Sequence, residues 1–508
     1  MNLLDSVYRA AQNFLVQTQP YSKKSKNKKV TIDSNAERHR VIFTSSSKSE
    51  TLIQYVKKQL KLSQLKIEPK PILSFDTEEG KLWILQTANY NKDVIVDQHE
   101  NKLSPSDFGV SRDLAGQWCR STKPKGAVDF VFLSASDEEI RGALTGLGLA
   151  SYNFLDCIKG TENSTVWSFS KSKAKLSPKL IEEAYSLFSS MNVSRHLSNL
   201  PASVATPQGI AEGMRDFFAN HKNLKVKILD AKDLKKLGMG LLLGTGQGSV
   251  NEPRLLRISY QPKAARAKST MAFVGKGVTF DSGGLDIKPA SGMRLMKKDM
   301  SGAATMIGIA HFLALKKLKV ACEFYLPLAE NSVSGQAMRP GDVLVSHAGH
   351  LVEIDNTDAE GRLVMADAIS LALKEQKPSL LIDVSTLTGA MRVALGLDVA
   401  GFFSNDDSLA KSLEQSAQKM GEPAWRMPLM SKYWSQLSSP YADFKNSSES
   451  GFGGAITAAL FLEKFVGQTS WAHFDVMSWN LSAQGAMSEG GNAQALQIIA
   501  KFLESKSK

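Results

Sequence analysis

Short apolar runs alternate along the chain with longer segments whose apolar positions recur at helical spacing. In the first third, three β-rich runs at 41–44, 82–85 and 128–133 predict strands. Periodic segments at 138–149 and 178–191 predict helices. This alternation is typical of an α/β domain with its own hydrophobic core.

The same alternation continues through the rest of the chain. Predicted strands at 271–274, 320–328, 380–384 and 471–476 are separated by predicted helices, among them 302–315 and 363–374, and a closing helix is predicted at 492–503. The pattern indicates a mostly parallel sheet with helices on both faces. The predicted fold is therefore α/β throughout. A smaller N-terminal domain (1–185) is joined by a helix at 179–197 to a larger C-terminal domain (186–508) with a mixed, mostly parallel sheet.

Composition narrows the class of protein. The 508 residues are 43% hydrophobic, which suits two or three domains at roughly 150 residues each. No apolar run reaches the length of about 18 residues that a membrane span needs. Three cysteines, Cys119, Cys157 and Cys322, have neither metal-ligand spacing nor the number for a disulfide framework. We therefore predict a reducing, cytoplasmic environment and no membrane contact.

The formal net charge of +12 is compatible with acidic partners, including nucleic acid. Positive charge is densest in a run of lysines between Lys23 and Lys29, which lacks interleaved aromatic residues. We favour a solvated loop over a nucleic-acid patch for this run.

A glycine-rich segment at 238–249 raises the question of nucleotide binding. It contains neither the dinucleotide-binding fingerprint nor the P-loop pattern. Its glycines are better explained by close approach of neighbouring backbones.

The segment 356–367 carries the densest polar chemistry in the chain. Asp358, Glu360 and Arg362 stand at positions i, i+2 and i+4, so an extended backbone would place all three on one side. A mostly apolar run of helical length follows directly. We predict an extended loop leading into a buried helix, with an Asx-type turn that caps the helix as the alternative.

More polar residues follow the strand predicted at 271–274. Lys276 and Asp281 lie among glycines, and Lys288 stands in the next loop. Loops at the carboxyl ends of parallel strands are where open α/β sheets bind ligands. Asp299 directly precedes the helix predicted at 302–315, and by itself it would be taken as an N-cap.

Carboxylates gathered in one pocket repel each other unless cations lie between them. Oxygen-rich ligand sets suit Mn²⁺ and Mg²⁺, and Zn²⁺ also accepts carboxylates. Two such ions about 3.5–4 Å apart lower the pKa of a shared water and stabilise a tetrahedral oxyanion. Lys276 is either a neutral metal ligand, with a depressed pKa, or an ordinary salt-bridge partner.

These segments resemble the leucyl aminopeptidase family, the cytosol aminopeptidases. The resemblance is carried by the NTDAEGRL stretch at 356–363, by 275–284 and by Asp299 with its helix, with support from 237–249, 386–390 and 453–461. It implies a binuclear metallo-exopeptidase that removes the N-terminal residue of peptides, often Leu, through a metal-bridging water. The implied ligands of two Zn²⁺ or Mn²⁺ ions are Lys276, Asp281, Asp299, Asp358 and Glu360.

The resemblance assigns further roles. Lys288 would polarise the scissile carbonyl, and Arg362 would hold a bicarbonate that acts as general base. A homohexamer, built as a dimer of trimers, is implied as well. The pocket for the first side chain would be formed by Met296, Thr386, Gly389 and Met477.

Two departures from the family pattern stand out. Ser301 replaces a common glycine, and residues 475–480 are bulkier than usual at the pocket wall. We still predict acceptance of medium apolar residues, because methionine walls are adaptable. The competing hypotheses are a DNA-binding regulatory protein on the same fold and an inactive oligomeric scaffold. The complete set of implied ligands disfavours the scaffold.

Overall fold

The structure is a computed structural model that describes residues 2–12, 39–45, 50–60, 68, 70–77, 80–90, 106–161, 165–172, 174–263, 265 and 270–507. The lysine run at 23–29 lies outside the described residues, so the loop predicted for it stays a prediction. Cys119, Cys157 and Cys322 are all buried free thiols. Within the described ranges, no helix combines the length and apolar character that a membrane crossing requires.

The described residues up to 175 form one six-stranded sheet with helices on both faces. Its elements are α1 (Leu3–Gln12), β1 (His39–Thr44), α2 (Glu50–Leu60), β2 (Ile72–Thr77), β3 (Gly80–Gln86), α3 (Asp107–Thr122), β4 (Gly126–Leu133), α4 (Asp137–Ala150), α5 (Phe154–Lys159), β5 (Thr165–Lys171) and β6 (Ala174–Lys175). The strand order is β2-β3-β1-β4-β5-β6. The inner pairs are parallel, whereas β2 and β6 pair antiparallel with their neighbours. The α/β prediction for this region is confirmed.

A long helix, α6 (Pro178–Asn199), connects this sheet to the rest of the chain. It is buried along most of its length, and its apolar residues belong to a hydrophobic cluster that reaches both sheets. The predicted connecting helix is therefore present. Residue 185 falls inside it, and the division into domains at that residue stays a prediction.

The second part of the chain builds a larger sheet. Its elements are α7 (Pro207–Phe218), β7 (Leu224–Leu229), α8 (Ala231–Leu237), α9 (Gly240–Gly246), β8 (Arg254–Tyr260), β9 (Thr270–Gly275), β10 (Gly277–Asp281), α10 (Ala290–Met293), α11 (Ser301–Lys316), β11 (Ala321–Asn331), β12 (Val343–Val345), β13 (Leu351–Glu353), α12 (Glu360–Gln376), β14 (Leu380–Ser385), α13 (Gly389–Leu395), β15 (Ala400–Ser404), α14 (Asp407–Met420), β16 (Ala424–Arg426), β17 (Phe444–Lys445), α15 (Gly454–Val466), β18 (Trp471–Asp475), β19 (Trp479–Asn480), β20 (Gly490–Gly491) and α16 (Leu496–Lys506). Short 3₁₀ helices occupy Thr87–Asn89, Met296–Lys298 and Ser431–Leu437.

The large sheet has the order β16-β15-β18-β14-β9-β11-β8-β7, with β10 paired to β11. Its central pairs, β18-β14-β9-β11, are parallel, and β8 and β7 add antiparallel strands at one edge. Residues of α11 pack in the hydrophobic cluster on one face, and residues of α12 and α15 pack in the cluster on the other. The predicted mixed, mostly parallel sheet is confirmed.

The prediction of an extended backbone in the polar segment 356–367 is wrong in one respect. Instead of running extended as far as Arg362, the chain turns at Asn356, whose Oδ1 accepts a hydrogen bond of 2.7 Å from the Asp358 amide. Helix α12 then begins at Glu360, so Glu360 and Arg362 lie in its first turn. The physical reason is the buried apolar run, which packs as a helix and draws these two residues into it. The alternative is only half right, because the Asx turn is present but no side chain caps the helix.

The glycine-rich segment serves close packing, as predicted. A Cβ on Gly240 would lie 2.1 Å from the carbonyl oxygen of Val345, and one on Gly244 would lie 2.5 Å from Leu344 Cδ1. Both glycines belong to α9, which packs against α12. This segment therefore supports the helix that begins with Glu360.

Candidate metal centre

Neighbouring strands of the large sheet end at one edge, and the residues that follow them carry much of the predicted site. Lys276 follows β9, Asp281 closes β10 and Thr386 follows β14. Because these strands run parallel within the sheet, their carboxyl ends meet and the three residues line one cavity. Asp299 and Glu360 line the same cavity from the starts of α11 and α12.

Lys276 is the central cation of this cluster. Its Nζ lies 2.7 Å from Asp299 Oδ2 and 3.0 Å from Glu360 Oε1, and all three side chains are buried. Burial by itself would lower the pKa of Lys276, but the carboxylates of Asp299, Glu360 and Asp281 raise it above its usual value. The protein side chains alone therefore hold Lys276 as an ion-paired ammonium.

Three carboxylates face one another beside Lys276. Asp281, Asp358 and Glu360 each offer an oxygen, and these oxygens lie within 4.8 Å of one another. Burial, followed by the charge of Asp281, raises the pKa of Glu360 to about 8 and the pKa of Asp358 to about 6. Such carboxylates become stable anions when a cation is placed between them.

Three buried carboxylate oxygens in the same cluster lack a hydrogen bond of normal geometry from any described residue, although Lys276 lies close to two of them. Among the described residues, neither carboxylate oxygen of Glu360 nor Asp299 Oδ2 accepts a hydrogen bond of normal geometry. Folded proteins rarely leave such atoms unsatisfied. Carboxylates that lie together in a buried cavity are ligands that Zn²⁺ and Mn²⁺ accept, so the residues present fit a site for divalent ions.

Asp299 is not the N-cap that its position alone suggested. Helix α11 has Met300 at its N-cap and no capping side-chain bond. The Asp299 carboxylate instead accepts 2.7 Å from Thr386 Oγ1 and pairs with Lys276. Burial would raise the pKa of Asp299, but the charges of Lys276 and Lys298 lower it, so this carboxyl stays ionised.

The two predicted catalytic cations also line the cavity. Lys288 Nζ lies 2.8 Å from Asp281 Oδ2 and contacts Asp358 as well. Arg362 Nη1 donates to the carbonyl oxygen of Asn446 at 2.7 Å, while its buried Nε has no hydrogen-bond partner in the described part of the chain. Burial lowers the pKa of Arg362 to about 10, which leaves it charged at neutral pH.

The residues predicted to bind the first side chain divide into two groups. Met477 is buried beside the cavity, with its Sδ 3.9 Å from Arg392 Nη1, and its neighbour Val476 lines the cavity instead. The other three line the cavity of about 370 Å³ together with the carboxylate cluster: Met296, Thr386 and Gly389.

Comparison with known proteins gives this geometry its context. A profile described as the cytosol aminopeptidase family, catalytic domain, matches residues 192–500. The chain belongs to the cytosol aminopeptidase family. A probable cytosol aminopeptidase of Brucella anthropi is 44% identical over 351 residues, which are 67% of this chain and 69% of that protein. One from Caulobacter vibrioides is 40% identical over 394 residues, 76% of this chain and 79% of the relative.

Solved structures agree with the family assignment. The cytosol aminopeptidase of Coxiella burnetii superposes with a TM-score of 0.76 at 33% identity, covering 94% of this chain and 98% of that one. The bottromycin maturation enzyme BotP in complex with Mn gives a TM-score of 0.78 at 27% identity, covering 93% of this chain and all of the other. The predicted family, the fold class and the metallo-aminopeptidase class of the enzyme are thus confirmed.

Two buried asparagines support this cytosol aminopeptidase site and were missed from the sequence. Asn331 Nδ2 donates to Asp281 Oδ1, and Asn446 Nδ2 donates 2.7 Å to the carbonyl oxygen of Asn356. Asn446 Oδ1 also accepts from the amide of Asp355 at 2.8 Å. Asn331 closes β11, so its position at a strand end was a signal that could have found it. Asn446 carries no comparable signal.

Two basic residues that line the cavity were also missed in the sequence analysis. They are Lys298 and Arg392. Burial lowers the pKa of Lys298 to about 8. The sequence did contain a signal, since two basic residues stand next to the predicted ligand Asp299, but it does not say which of them faces the cavity.

Proposed function

We propose that the chain removes the N-terminal residue of peptides with two divalent ions, Zn²⁺ or Mn²⁺, bound in this cavity. The observation that carries the proposal is the convergence of five side chains from three separate segments of the chain. They are Lys276, Asp281, Asp299, Asp358 and Glu360. A relative with the same fold is described in complex with Mn, which supports this choice of ion.

The proposed ligand sets follow the two halves of the cluster. Asp281 and Glu360 would be ligands of both ions, and Asp358 would complete the more readily exchanged site. Lys276 and Asp299 would complete the tighter site, which would require Lys276 to lose its proton on metal binding. Supporting contacts are the close oxygens of Asp281, Asp358 and Glu360 and the short distances around Lys276. When bound, ions of this kind would supply Lewis acidity and would activate a water for hydrolysis of the peptide bond.

The remaining cations act on the substrate. Lys288 is proposed to donate to the scissile carbonyl oxygen and to stabilise the oxyanion, which its place in the cavity beside Asp281 and Asp358 supports. Arg362 is proposed to hold a bicarbonate that provides a general base. Its buried Nε, without a hydrogen-bond partner among the described residues, supports an anion at this position.

The proposed pocket for the first side chain accepts medium apolar residues such as Leu. Met296, Thr386 and Gly389 line it, and Met477 packs beside it next to Arg392. Flexible methionines adapt to side chains of different shape. One metal ion would bind the free α-amine of the substrate, which would make the enzyme an exopeptidase.

Assembly and location are proposed from the family resemblance alone. We propose a homohexamer that works in the cytoplasm. Light scattering coupled to size-exclusion chromatography would measure the mass, and a monomer at micromolar concentration would contradict the hexamer. No observation on the described residues supports the alternative DNA-binding role.

Metal analysis paired with an aminopeptidase assay tests the central proposal. The purified chain should contain close to two divalent ions, lose activity toward Leu-p-nitroanilide on chelation and regain it with Mn²⁺ or Zn²⁺. Glu360→Ala should lose both metal and activity, because a bridging ligand is gone. Glu212→Ala, on the exposed surface of α7, is the matched control. Full activity of the chelated enzyme would refute the proposal.

A further inference from the structure

The cavity contains a lysine for which the proposed chemistry has no use. Lys298, at the end of the 3₁₀ helix before Asp299, is only 4% exposed, yet it lines the cavity. Among the described residues, its Nζ forms neither a salt bridge nor a hydrogen bond. Burying an ammonium group without a partner is unfavourable, because the protein does not replace the hydration that the charge loses. Such a group indicates an anion that arrives with a ligand.

A second cation lies near Lys298. Arg392 of α13 is exposed, lines the cavity and has no carboxylate partner in the part of the chain that the structure describes. Its Nη1 lies 3.9 Å from Met477 Sδ, and its Nη2 would lie 3.4 Å from a Cβ built on Gly389. Gly389 and Met477 are two of the residues predicted to form the first-residue pocket, so Arg392 lies at that pocket. It is also close enough to act electrostatically on Lys298.

The acidic groups near Lys298 are engaged elsewhere. Asp299 pairs with Lys276 and accepts from Thr386. Asp475 accepts from the amides of Leu387 and Thr388 through Oδ1 at 2.9 and 3.1 Å. Its Oδ2 accepts 2.5 Å from Thr388 Oγ1. Neither carboxylate is therefore available as a direct partner for Lys298.

The charges that line the cavity also favour an anionic ligand. Basic side chains outnumber acidic ones along its lining, and bound divalent ions would make the balance still more positive. The basic side chains are Lys276, Lys288, Lys298, Arg362 and Arg392, and the acidic ones are Asp281, Asp299, Asp358 and Glu360. The acidic side chains all belong to the proposed ligand set, which leaves Lys298 and Arg392 for an anionic group of the substrate.

We propose that Lys298 and Arg392 form a carboxylate-binding end of the first-residue pocket, so that the enzyme hydrolyses peptides beginning with glutamate in addition to apolar residues. This inference rests on the proposed aminopeptidase function. Glutamate suits the site because its methylene groups can pack against Met296 while its carboxylate reaches the two cations. Hydrogen bonds between ionised groups are about twice as strong as neutral ones, so glutamine is a weaker match despite its equal size.

The test compares Glu- and Gln-p-nitroanilide, with Leu-p-nitroanilide as the reference substrate. The wild-type enzyme loaded with Mn²⁺ should show a higher kcat/KM for Glu than for Gln. Lys298→Met, which keeps the length of the side chain, should lower the Glu/Gln ratio by roughly tenfold or more, the scale of one charged hydrogen bond. Arg392→Leu, at an exposed position, should lower the ratio as well.

Lys297→Met is the matched control. Lys297 donates 2.9 Å to the carbonyl oxygen of Asn199 and lies over the ring of Trp479, and it does not line the cavity. Its replacement should leave the Glu/Gln ratio unchanged. Calorimetric titration with free L-glutamate and L-glutamine provides a readout without turnover. Glutamate should bind more tightly to the wild type, and this difference should shrink in Lys298→Met.

The possible outcomes separate this inference from the function on which it rests. Hydrolysis of Leu-p-nitroanilide without preference for Glu over Gln would overturn the carboxylate site and leave the aminopeptidase intact. A Glu preference that survives both Lys298→Met and Arg392→Leu would also overturn it. Inactivity toward all three substrates in the metal-loaded enzyme would refute the proposed function together with the inference.

Discussion

Asn331 Nδ2 donates a hydrogen bond of 2.9 Å to Asp281 Oδ1, and it donates a second one of 3.1 Å to the carbonyl oxygen of Thr357. A single buried amide thereby joins the end of β10 to the loop that carries Asp358. Hydrogen bonds to the carboxylate of a metal ligand orient that ligand. The carboxylate cluster therefore depends on a residue that is not itself a proposed ligand.

Asn331→Ala should weaken metal binding by roughly 10–100-fold, the usual scale for loss of such a partner. Asp281 would lose a hydrogen-bond donor, and the loop at Thr357 would lose its hydrogen bond to the end of β11. Competition with a chelator of known affinity measures the change. Asn220→Ala, an exposed position after α7, serves as the control. Wild-type metal affinity in Asn331→Ala would show that the amide does not position Asp281.

Lys288→Ala should lower kcat by roughly 10²-fold or more, the scale for removal of an oxyanion donor. Metal content should stay near that of the wild type, because Lys288 contacts the carboxylates of Asp281 and Asp358 without being a proposed ligand. Stopped assays with metal analysis on the same samples separate the two effects. Lys225→Ala, exposed on β7, is a suitable control. Full turnover in Lys288→Ala would rule out the role proposed for this lysine.

Metal affinity should rise with pH between about 6 and 8. Burial, followed by the charge of Asp281, raises the pKa of Glu360 to about 8 and the pKa of Asp358 to about 6. As the pH falls through these values, each carboxyl takes up a proton that an arriving ion must displace, so binding weakens. Titration with Mn²⁺ at several pH values, in buffers of different ionisation enthalpy, would reveal both the trend and the released protons. Affinity that is flat over this range would contradict the prediction.

Gly302→Ala should destabilise the protein and disturb the cluster. A Cβ at Gly302 would lie 2.1 Å from the carbonyl oxygen of Val384 and 2.7 Å from the amide nitrogen of Lys276. Helix α11 would have to move away from β9 and β14, at an overpacking cost of about 1–3 kcal/mol.

Urea unfolding and metal content measure the two effects of Gly302→Ala. Gly335→Ala is the matched control, because a Cβ there meets nothing within 4 Å. Equal unfolding free energies and equal metal content for the two variants would show that a Cβ at position 302 fits between α11 and the strands.

The predictable part of the site lies at strand ends. Lys276 and Asp281 follow short apolar strands, and parallel strands bring their carboxyl ends to one edge, so their proximity follows from the pattern of elements. The same logic predicted the mostly parallel sheet, because helices alternate with strands along the chain. The family resemblance then added roles for Lys288 and Arg362 that spacing alone does not assign.

The amino-acid sequence by itself determined which residues have the chemistry for a metal centre and which elements carry them, because those properties are local. The tertiary structure decided what depends on contacts between distant segments. Asn331 meets Asp281 across 50 residues and Asn446 meets Asn356 across 90. It also decided that Glu360 begins a helix and that Lys298, unlike its neighbour Lys297, faces the cavity. Periodicity cannot resolve such choices, because the direction of a side chain in a short irregular segment depends on what packs around it.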